Sequence, residues 1–214
     1  KLKKNKYNIL YLTEPLNFII EINYYKKIIK DINPFLLLTY SYGNFNKLNV
    51  YQKLIRFYPI NKKYFNFVEQ NKKRDESKIV FIGKMNTNRQ YIKDKLKERL
   101  VIIEDVWSKE GWIELMNKYL FFINVHRRKN CKCLETMRIN PLLYNGCVIF
   151  SEKVNEIEMD EYSKYNIIFY KDEELINSID KYNIDYELIN KKRDYFRNKE
   201  NNDTCDICKI ISDL

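Results

Sequence analysis

The stretch LETMRINPLLYNGCVIFSE, residues 134–152, says most about the fold of this chain. It predicts a polar-faced helix that stops at Gly146 and is followed by a short buried strand over residues 147–150. The apolar residues of the helix recur at helical spacing and form one stripe: Leu134, Ile139, Leu142 and Leu143. A helix that leads through a glycine into a buried strand is an α/β packing unit.

Two charged residues of this helix, Glu135 and Arg138, are three positions apart and therefore share one face. Arg138 falls in the first turns, where its charge adds to backbone N–H groups that already favour an anion. That arrangement suits a diphosphate. The alternative is an ordinary packing unit with a surface ion pair, and the segment alone leaves both open.

Strands and helices alternate along the rest of the chain. The pattern predicts strands at 78–82, 100–104, 119–125, 147–151 and 166–170, and helices at 89–99, 110–118, 133–144, 172–181 and 185–199. Such alternation predicts a parallel, right-handed, doubly wound sheet, whose ligands bind at the carboxyl ends of the strands. Gly83, His126 and Glu152 all fall at those ends.

The N-terminal third is shorter and more basic. It is predicted to hold strands at 8–12 and 34–41, a helix at 17–31, and a helix or short strand at 50–57. The polar residues 61–77 are the best linker candidate. We therefore divide the chain into a partial α/β segment with linker (1–70), a ligand-binding domain (76–200) and a tail (201–214).

Composition fits this organisation. Of the 214 residues, 45% are hydrophobic and 15% aromatic, enough for a real core, and only four Gly and four Pro argue against a turn-rich all-β design. No apolar run approaches the ~20 residues that span a bilayer. The start, KLKKNKYNILYL, has too short an apolar core for a signal peptide. We expect a cytoplasmic protein.

The net charge of +10 lies entirely in residues 1–75, which hold fifteen Lys or Arg against five Asp or Glu. A nucleic-acid binder would concentrate charge on a stripe with interleaved aromatic residues. Tyr24, Tyr25, Lys26 and Lys27 have that character, but their segment is also an ordinary amphipathic helix. Nucleic acid is therefore a disfavoured partner. A basic segment of this kind would also attract an anionic acceptor or a membrane surface.

Three motifs in order carry a family resemblance. They are FIGKMNTNR (residues 81–89), INVH (123–126) and LETMRINPLLYNGCVIFSE. Their order and spacing resemble the donor-binding half of GT-B glycosyltransferases, closest to divergent bacterial and large-virus relatives with a glycosyltransferase family 1-like C-terminal domain. The resemblance covers residues 78–178, and more weakly 7–60. It implies a Rossmann-type donor domain behind a shortened acceptor-side α/β segment.

The resemblance also implies a function and a set of site residues. A sugar would pass from a nucleotide-diphosphate sugar to a hydroxyl of a glycan, protein or lipid, without metal or cofactor. No Asp-x-Asp triplet of the metal-dependent GT-A type is present. In this chain Arg138, Arg89 and Lys84 would hold the diphosphate, and Glu135 and Glu152 the hydroxyls. The donor loop would also include Gly83 and Asn86.

The general base is less defined. His126, the only histidine, ends a predicted strand and is the first candidate, and Glu14 of the first segment is the second. A lone histidine is also often a structural hydrogen-bonding residue. The charged run that follows it (residues 127–129) faces phosphate or is simply solvated.

One position departs from the family pattern. Related transferases often carry an acidic residue five positions before the helix-ending glycine, and here that position is Pro141. Pro141 is expected to kink the helix or mark its real start. This departure and the short first segment keep a catalytically degenerate GT-B-like binder open as a rival. A basic nucleic-acid or membrane module built on residues 1–75 is the second rival.

The cysteines suggest a separate alternative. Cys131 and Cys133 form C-x-C, and Cys205 and Cys208 form C-x-x-C. Four thiolates would suit a structural zinc if the tail folds back, although the paired C-x-x-C spacing occurs only once. Reduced free thiols are the default expectation.

Overall fold

The structure, a computed structural model, describes residues 9–12, 16, 19–34, 36–39, 47–48, 54–56, 73–106, 108–128, 131 and 133–212. Within residues 200–212 it describes the backbone alone. The predicted linker lies mostly outside these residues, and so does Glu14.

The N-terminal segment contains a small parallel sheet in the order β1 (Ile9–Leu12), β2 (Leu36–Thr39) and β3 (Leu54–Arg56). Helix α1 (Ile19–Ile32) connects the first two strands. Its Ile29 is buried against Leu12 and Leu37, because apolar residues recur along one face of the helix. The segment is α/β as predicted, and the ambiguous stretch at 50–57 contains a strand.

The larger sheet has five parallel strands in the order β5-β4-β6-β7-β8. These strands are β4 (Asp75–Ile82), β5 (Leu100–Ile103), β6 (Tyr119–Asn124), β7 (Val148–Glu152) and β8 (Ile167–Tyr170). The helices around them are α2 (Gln90–Leu96), α3 (Lys109–Lys118), α4 (Thr136–Tyr144), α5 (Glu156–Tyr162), α6 (Leu175–Asp180) and α7 (Tyr186–Ser212). The predicted α/β class and the parallel sheet are confirmed.

Two apolar layers cover the two faces of this sheet. Alternate residues of β4 enter different layers, since side chains alternate along a strand. Val80 packs with α3, α4 and α5, whereas Ile79 and Phe81 pack with α2 and α6. Helices on both faces of a parallel sheet define a doubly wound, Rossmann-like fold.

The strand order fixes where a ligand would bind. The chain winds from β4 outward to β5, and then crosses to β6 on the other side of β4. Open α/β sheets bind their ligands in the crevice where the winding reverses, and in this sheet that point lies at the carboxyl ends of β4 and β6. Gly83 follows β4 and His126 lies two residues beyond β6, so both border this crevice.

Helix α4 begins at Thr136 and ends in a Schellman turn. The N–H of Cys147 donates to the carbonyl of Leu142, and Gly146 adopts a positive φ of 69°. Pro141 lies inside the helix, so it does not mark the start. Having no N–H, it cannot bond the carbonyl four residues back, but tertiary packing of its fully buried neighbours holds the helix together.

Two boundaries differ clearly from the predictions, and one helix was not predicted. Strand β4 begins at Asp75, three residues early, and α7 continues through the predicted tail to Ser212. Helix α5 was not predicted, because its segment shows only a weak apolar period. Among the described residues, no helix is long and apolar enough to cross a bilayer.

Candidate functional site

Arg89 is a buried organiser of the crevice. Its side chain is only 5% exposed and lies over the Phe81 ring, 5.0 Å from the centroid. Nε donates to the carbonyl of Val125 at 3.1 Å, and Nη1 donates to the carbonyl of Lys84 at 2.8 Å. Arg89 therefore joins the segment after β4 to the segment after β6. Burial lowers the pKa of this guanidinium, and the nearby carboxylate of Glu135 reduces that lowering.

The loop after β4 is also held by amide side chains. Nδ2 of Asn86 donates to the carbonyl of Arg127 at 2.9 Å, and Nδ2 of Asn88 donates to the same carbonyl at 3.1 Å. Oδ1 of Asn86 accepts from the N–H of Arg89 and caps the 3-10 turn Thr87–Arg89. Lys84 and Arg127 are exposed. Two positive side chains thus stand at the rim of a loop whose backbone is fixed.

Gly83 has a backbone conformation that suits glycine alone. Its φ is +141°, and a Cβ would lie 3.4 Å from Cζ of Phe81 and 3.6 Å from Nη1 of Arg89. Its N–H donates to the carbonyl of Ile103 in β5 at 2.8 Å. The chain turns directly after β4, and this turn brings the backbone of Gly83 beside the Arg89 guanidinium.

We expect Gly83→Ala to lower the free energy of unfolding by about 1–3 kcal/mol, because alanine is strained at this φ. Gly111→Ala is the control for backbone conformation, since Gly111 lies in the first turn of α3 without a positive φ, although its added Cβ would lie 3.1 Å from Oγ of Ser108. The control variant should stay within about 1 kcal/mol of the wild type. Urea denaturation monitored by circular dichroism measures both. A Gly83→Ala protein as stable as the wild type would show that the Gly83 turn relaxes without cost.

Glu135 and Arg138 form the predicted pair at the start of α4. Their Oε2 and Nη2 atoms are 2.6 Å apart, and both side chains are partly exposed. Oε1 of Glu135 lies 3.9 Å from Nη2 of Arg89. Glu135 therefore stands between two guanidinium groups and orients Arg138. Nη1 of Arg138 is buried and has no hydrogen-bond partner among the residues that the structure describes.

Glu152 ends β7 and is engaged by protein donors. Its Oε1 accepts from the Tyr91 hydroxyl at 2.6 Å, and its Oε2 accepts from the N–H of His126 at 2.6 Å. The Tyr91 hydroxyl also lies 3.2 Å from that of Tyr170. Burial and the adjacent carboxylate raise the pKa of Tyr91, so its hydroxyl stays protonated. Glu152 thereby joins the ends of β6 and β7.

His126 places an imidazole with free nitrogens inside the site. The residue is 5% exposed, and within the described part of the chain neither ring nitrogen has a hydrogen-bond partner. Burial lowers its pKa, but the adjacent Cys131 and the carboxylates of Glu152 and Glu135 raise it more, so the net pKa is above the ordinary value. Cys131 and the two carboxylates therefore favour the protonated form of the ring.

The structure brings together most of the predicted residues. Gly83, Lys84, Asn86 and Arg89 lie on the segment after β4, His126 on the segment after β6, Glu135 and Arg138 at the start of α4, and Glu152 at the end of β7. Glu14 lies outside the described residues, so its prediction stays a prediction. One exposed ion pair, Arg128 Nη1 to Glu21 Oε1 at 3.2 Å, links the β6 segment to α1.

The sequence analysis missed two residues that hold the site residues in position, Tyr91 and Glu158. Tyr91 was overlooked because nothing local marks it among 18 tyrosines. Glu158 is fully buried, and its Oε2 accepts from the N–H of Leu134 at 2.7 Å and from Nδ2 of Asn155 at 2.8 Å. It fixes the residue before Glu135. The pattern Asn155-x-x-Glu158 is a helix-start signal that would have revealed both α5 and this carboxylate.

Among the side chains that the structure describes, no group of three or more His, Cys, Asp or Glu residues is arranged to hold an ion. Cys131, Cys133 and Cys147 are buried and are not joined in a disulfide. The side chains of Cys205 and Cys208 are not described, so the four-cysteine zinc alternative stays untested.

The carboxyl edge of the Rossmann-like sheet therefore presents arginine, histidine and glutamate side chains around one crevice. No protein-family model matches the chain, and no curated protein matches its sequence at a significant level.

Proposed function

We propose that the chain is a GT-B-like glycosyltransferase that binds a nucleotide-diphosphate sugar in the crevice beyond β4 and β6. The observation that carries this proposal is the buried Nη1 of Arg138 at the start of α4, which has no hydrogen-bond partner in the described part of the chain. A buried guanidinium donor without a partner is costly, and an anionic ligand oxygen would satisfy it. The position at a helix N-terminus and at the reversal of strand order supports the same ligand.

The diphosphate would be shared among several positive groups. Arg138 would donate directly through Nη1, while exposed Lys84 and Arg127 would neutralise charge from the rim. Arg89 takes a supporting part, because Nε and Nη1 already donate to backbone carbonyls. The family pattern suggests three residues that hold the diphosphate. Of these, Arg138 and Lys84 remain as diphosphate contacts, and Arg89 instead supports the loop after β4.

The carboxylates would act differently from one another. Glu135 is partly exposed and contacts the crevice side of Arg138, so it would accept hydroxyls of the donor. Both oxygens of Glu152 already accept hydrogen bonds from Tyr91 and His126, so Glu152 would mainly hold the site in shape. A carboxylate has further lone pairs, so Glu152 would still be able to accept a third hydrogen bond from a donor hydroxyl.

The transfer step would need no metal. An acceptor hydroxyl gives its proton to a general base, for which Glu14 stays the sequence-based candidate, and attacks the anomeric carbon. The bond from that carbon to the diphosphate oxygen breaks, and the negative charge moves onto the leaving nucleotide. Arg138 and the N-terminus of α4 would stabilise that charge. The raised pKa of His126 suits a hydrogen-bond donor to a phosphate oxygen better than a general base.

Incubation with UDP-sugars and GDP-sugars, alone and with glycan, lipid and peptide acceptors, tests this activity. We expect release of one nucleoside diphosphate by the wild type, and at least about tenfold slower release by Arg138→Ala, a change of about 1.4 kcal/mol in the barrier. Release at equal rates by both proteins would place the chemistry elsewhere.

A second candidate is a GT-B-like binder that transfers no sugar. Hydrogen bonds within the protein favour this candidate. Glu152 and Arg89, two of the residues that the family pattern assigns to the donor, already bond to Tyr91 and to the carbonyl of Val125. Saturable binding of a nucleotide-sugar without release of the nucleoside diphosphate, in the presence of acceptors, would support this candidate over the transferase.

A further inference from the structure

A cluster beside the proposed donor site brings together the thiols of Cys131 and Cys133 and the imidazole of His126. Cys131 and Cys133 are 6% and 2% exposed. Cys133 donates to the Cys131 sulfur from both its thiol and its backbone N–H, and the His126 ring is the next neighbour of that sulfur. The hydrogen bond between the two side chains brings the two sulfur atoms close to each other.

The electrostatics of this cluster favour a thiolate on Cys131. The Cys133 hydrogen bond, followed by the His126 ring, lowers the pKa of Cys131 to about 4, although burial alone would raise it. Cys147 shows the contrast. It is fully buried, and desolvation raises its pKa to about 11 in spite of the nearby Arg74 guanidinium. One chain thus contains an activated thiol and an inert one.

We propose that Cys131 and Cys133, with His126, form a peroxide-reactive dithiol site. The His126 ring is the independent observation. It is buried beside the Cys131 sulfur, neither of its nitrogens has a hydrogen-bond partner among the described residues, and it is therefore placed to give a proton to a small reactant. A hydroperoxide is the reactant that fits, since it is small enough to reach a thiol that is only slightly exposed. This site shares His126 with the proposed donor site, but its reaction does not depend on sugar transfer.

The chemistry balances with one hydroperoxide. The Cys131 thiolate attacks one peroxide oxygen, the O–O bond breaks, and the imidazolium of His126 protonates the leaving hydroxide or alkoxide. Cys131 is then a sulfenic acid. The Cys133 sulfur attacks the Cys131 sulfur, and the Cys131 hydroxyl leaves with the Cys133 proton as water, so that His126 ends in its neutral form. Two thiols are oxidised to one disulfide, and the hydroperoxide is reduced to water or to an alcohol and water.

Differential alkylation and peptide mapping of the full chain test the proposal. The reduced protein is exposed to hydrogen peroxide for increasing times, and each cysteine is quantified. We expect Cys131 and Cys133 to be lost together, as an intramolecular disulfide, about tenfold faster or more than Cys147. Oxidation of Cys131 no faster than Cys147, or a disulfide from Cys131 to Cys205 or Cys208, would overturn it.

Two variants separate the steps. In Cys133→Ser the resolving thiol is missing, so Cys131 should stop at a sulfenic acid that dimedone traps. In Cys131→Ser, Cys133 should oxidise as slowly as Cys147, and rapid oxidation of Cys133 would contradict the assigned order. The comparison of Cys131 with Cys147 within the wild-type chain needs no variant, so the test holds even if a substitution impairs folding.

Discussion

Replacement of Arg138 by alanine is expected to weaken the binding of a nucleoside diphosphate by about tenfold or more, or about 1.4 kcal/mol. The physical reason is the buried Nη1, which has no partner among the described residues and is placed to meet a ligand oxygen. The substitution also releases Glu135, whose negative charge would then face the diphosphate without its 2.6 Å partner. Calorimetric titration with UDP and GDP measures the loss.

Arg99→Ala is the matched control for that experiment. Arg99 precedes β5 and therefore lies at the opposite, amino edge of the sheet, where it forms an exposed ion pair with Asp180 at 2.8 Å. Its loss changes the net charge of the protein by the same amount as the loss of Arg138. Equal weakening in both variants would mean that overall charge, and not the start of α4, governs nucleotide binding.

Replacement of Arg89 by methionine is expected to cost stability instead, about 2–4 kcal/mol of the free energy of unfolding. Methionine keeps much of the apolar stem over Phe81 but leaves the buried carbonyl of Val125 and the partly buried carbonyl of Lys84 without their donor. Arg89→Lys should recover only part of the loss, because one ammonium cannot reproduce the fork of a guanidinium. Urea denaturation monitored by tryptophan fluorescence gives the three values.

The control for Arg89 is again at the other edge of the sheet. Arg99→Met removes an exposed ion pair, and such pairs contribute at most about 1 kcal/mol. A stability of Arg89→Met within about 0.5 kcal/mol of the wild type would show that water or a shifted side chain satisfies the two carbonyls, and the description of Arg89 as the organiser of the crevice would be wrong.

The predictable part of the fold follows from local patterns. Apolar strands that end in Gly83 and near His126 were visible in the sequence, because a strand buried on both faces is a continuous apolar run. The order β5-β4-β6 was not, since alternation fixes parallel winding without fixing which strand lies at the centre. Helix α5 was missed because the weak apolar period outweighed its clear start signal at Asn155.

The site shows the same division between local and distant causes. The Glu135–Arg138 pair follows from helix geometry and was predicted. The burial of Arg89 was not predictable, because its carbonyl partner Val125 is 36 residues away and arginines are usually exposed. The double engagement of Glu152 depends on Tyr91, which only the packing of α2 against the sheet brings near.

The central claim is that the crevice beyond β4 and β6 recognises a diphosphate. Titration calorimetry of the wild-type chain with UDP and GDP, compared with uridine and guanosine, tests it most directly. The account predicts saturable binding of one diphosphate per chain, at least about tenfold tighter than the matching nucleoside, because Arg138 and the start of α4 contact phosphate oxygens. Binding of neither diphosphate to the folded chain, or equal affinity for diphosphate and nucleoside, would contradict it.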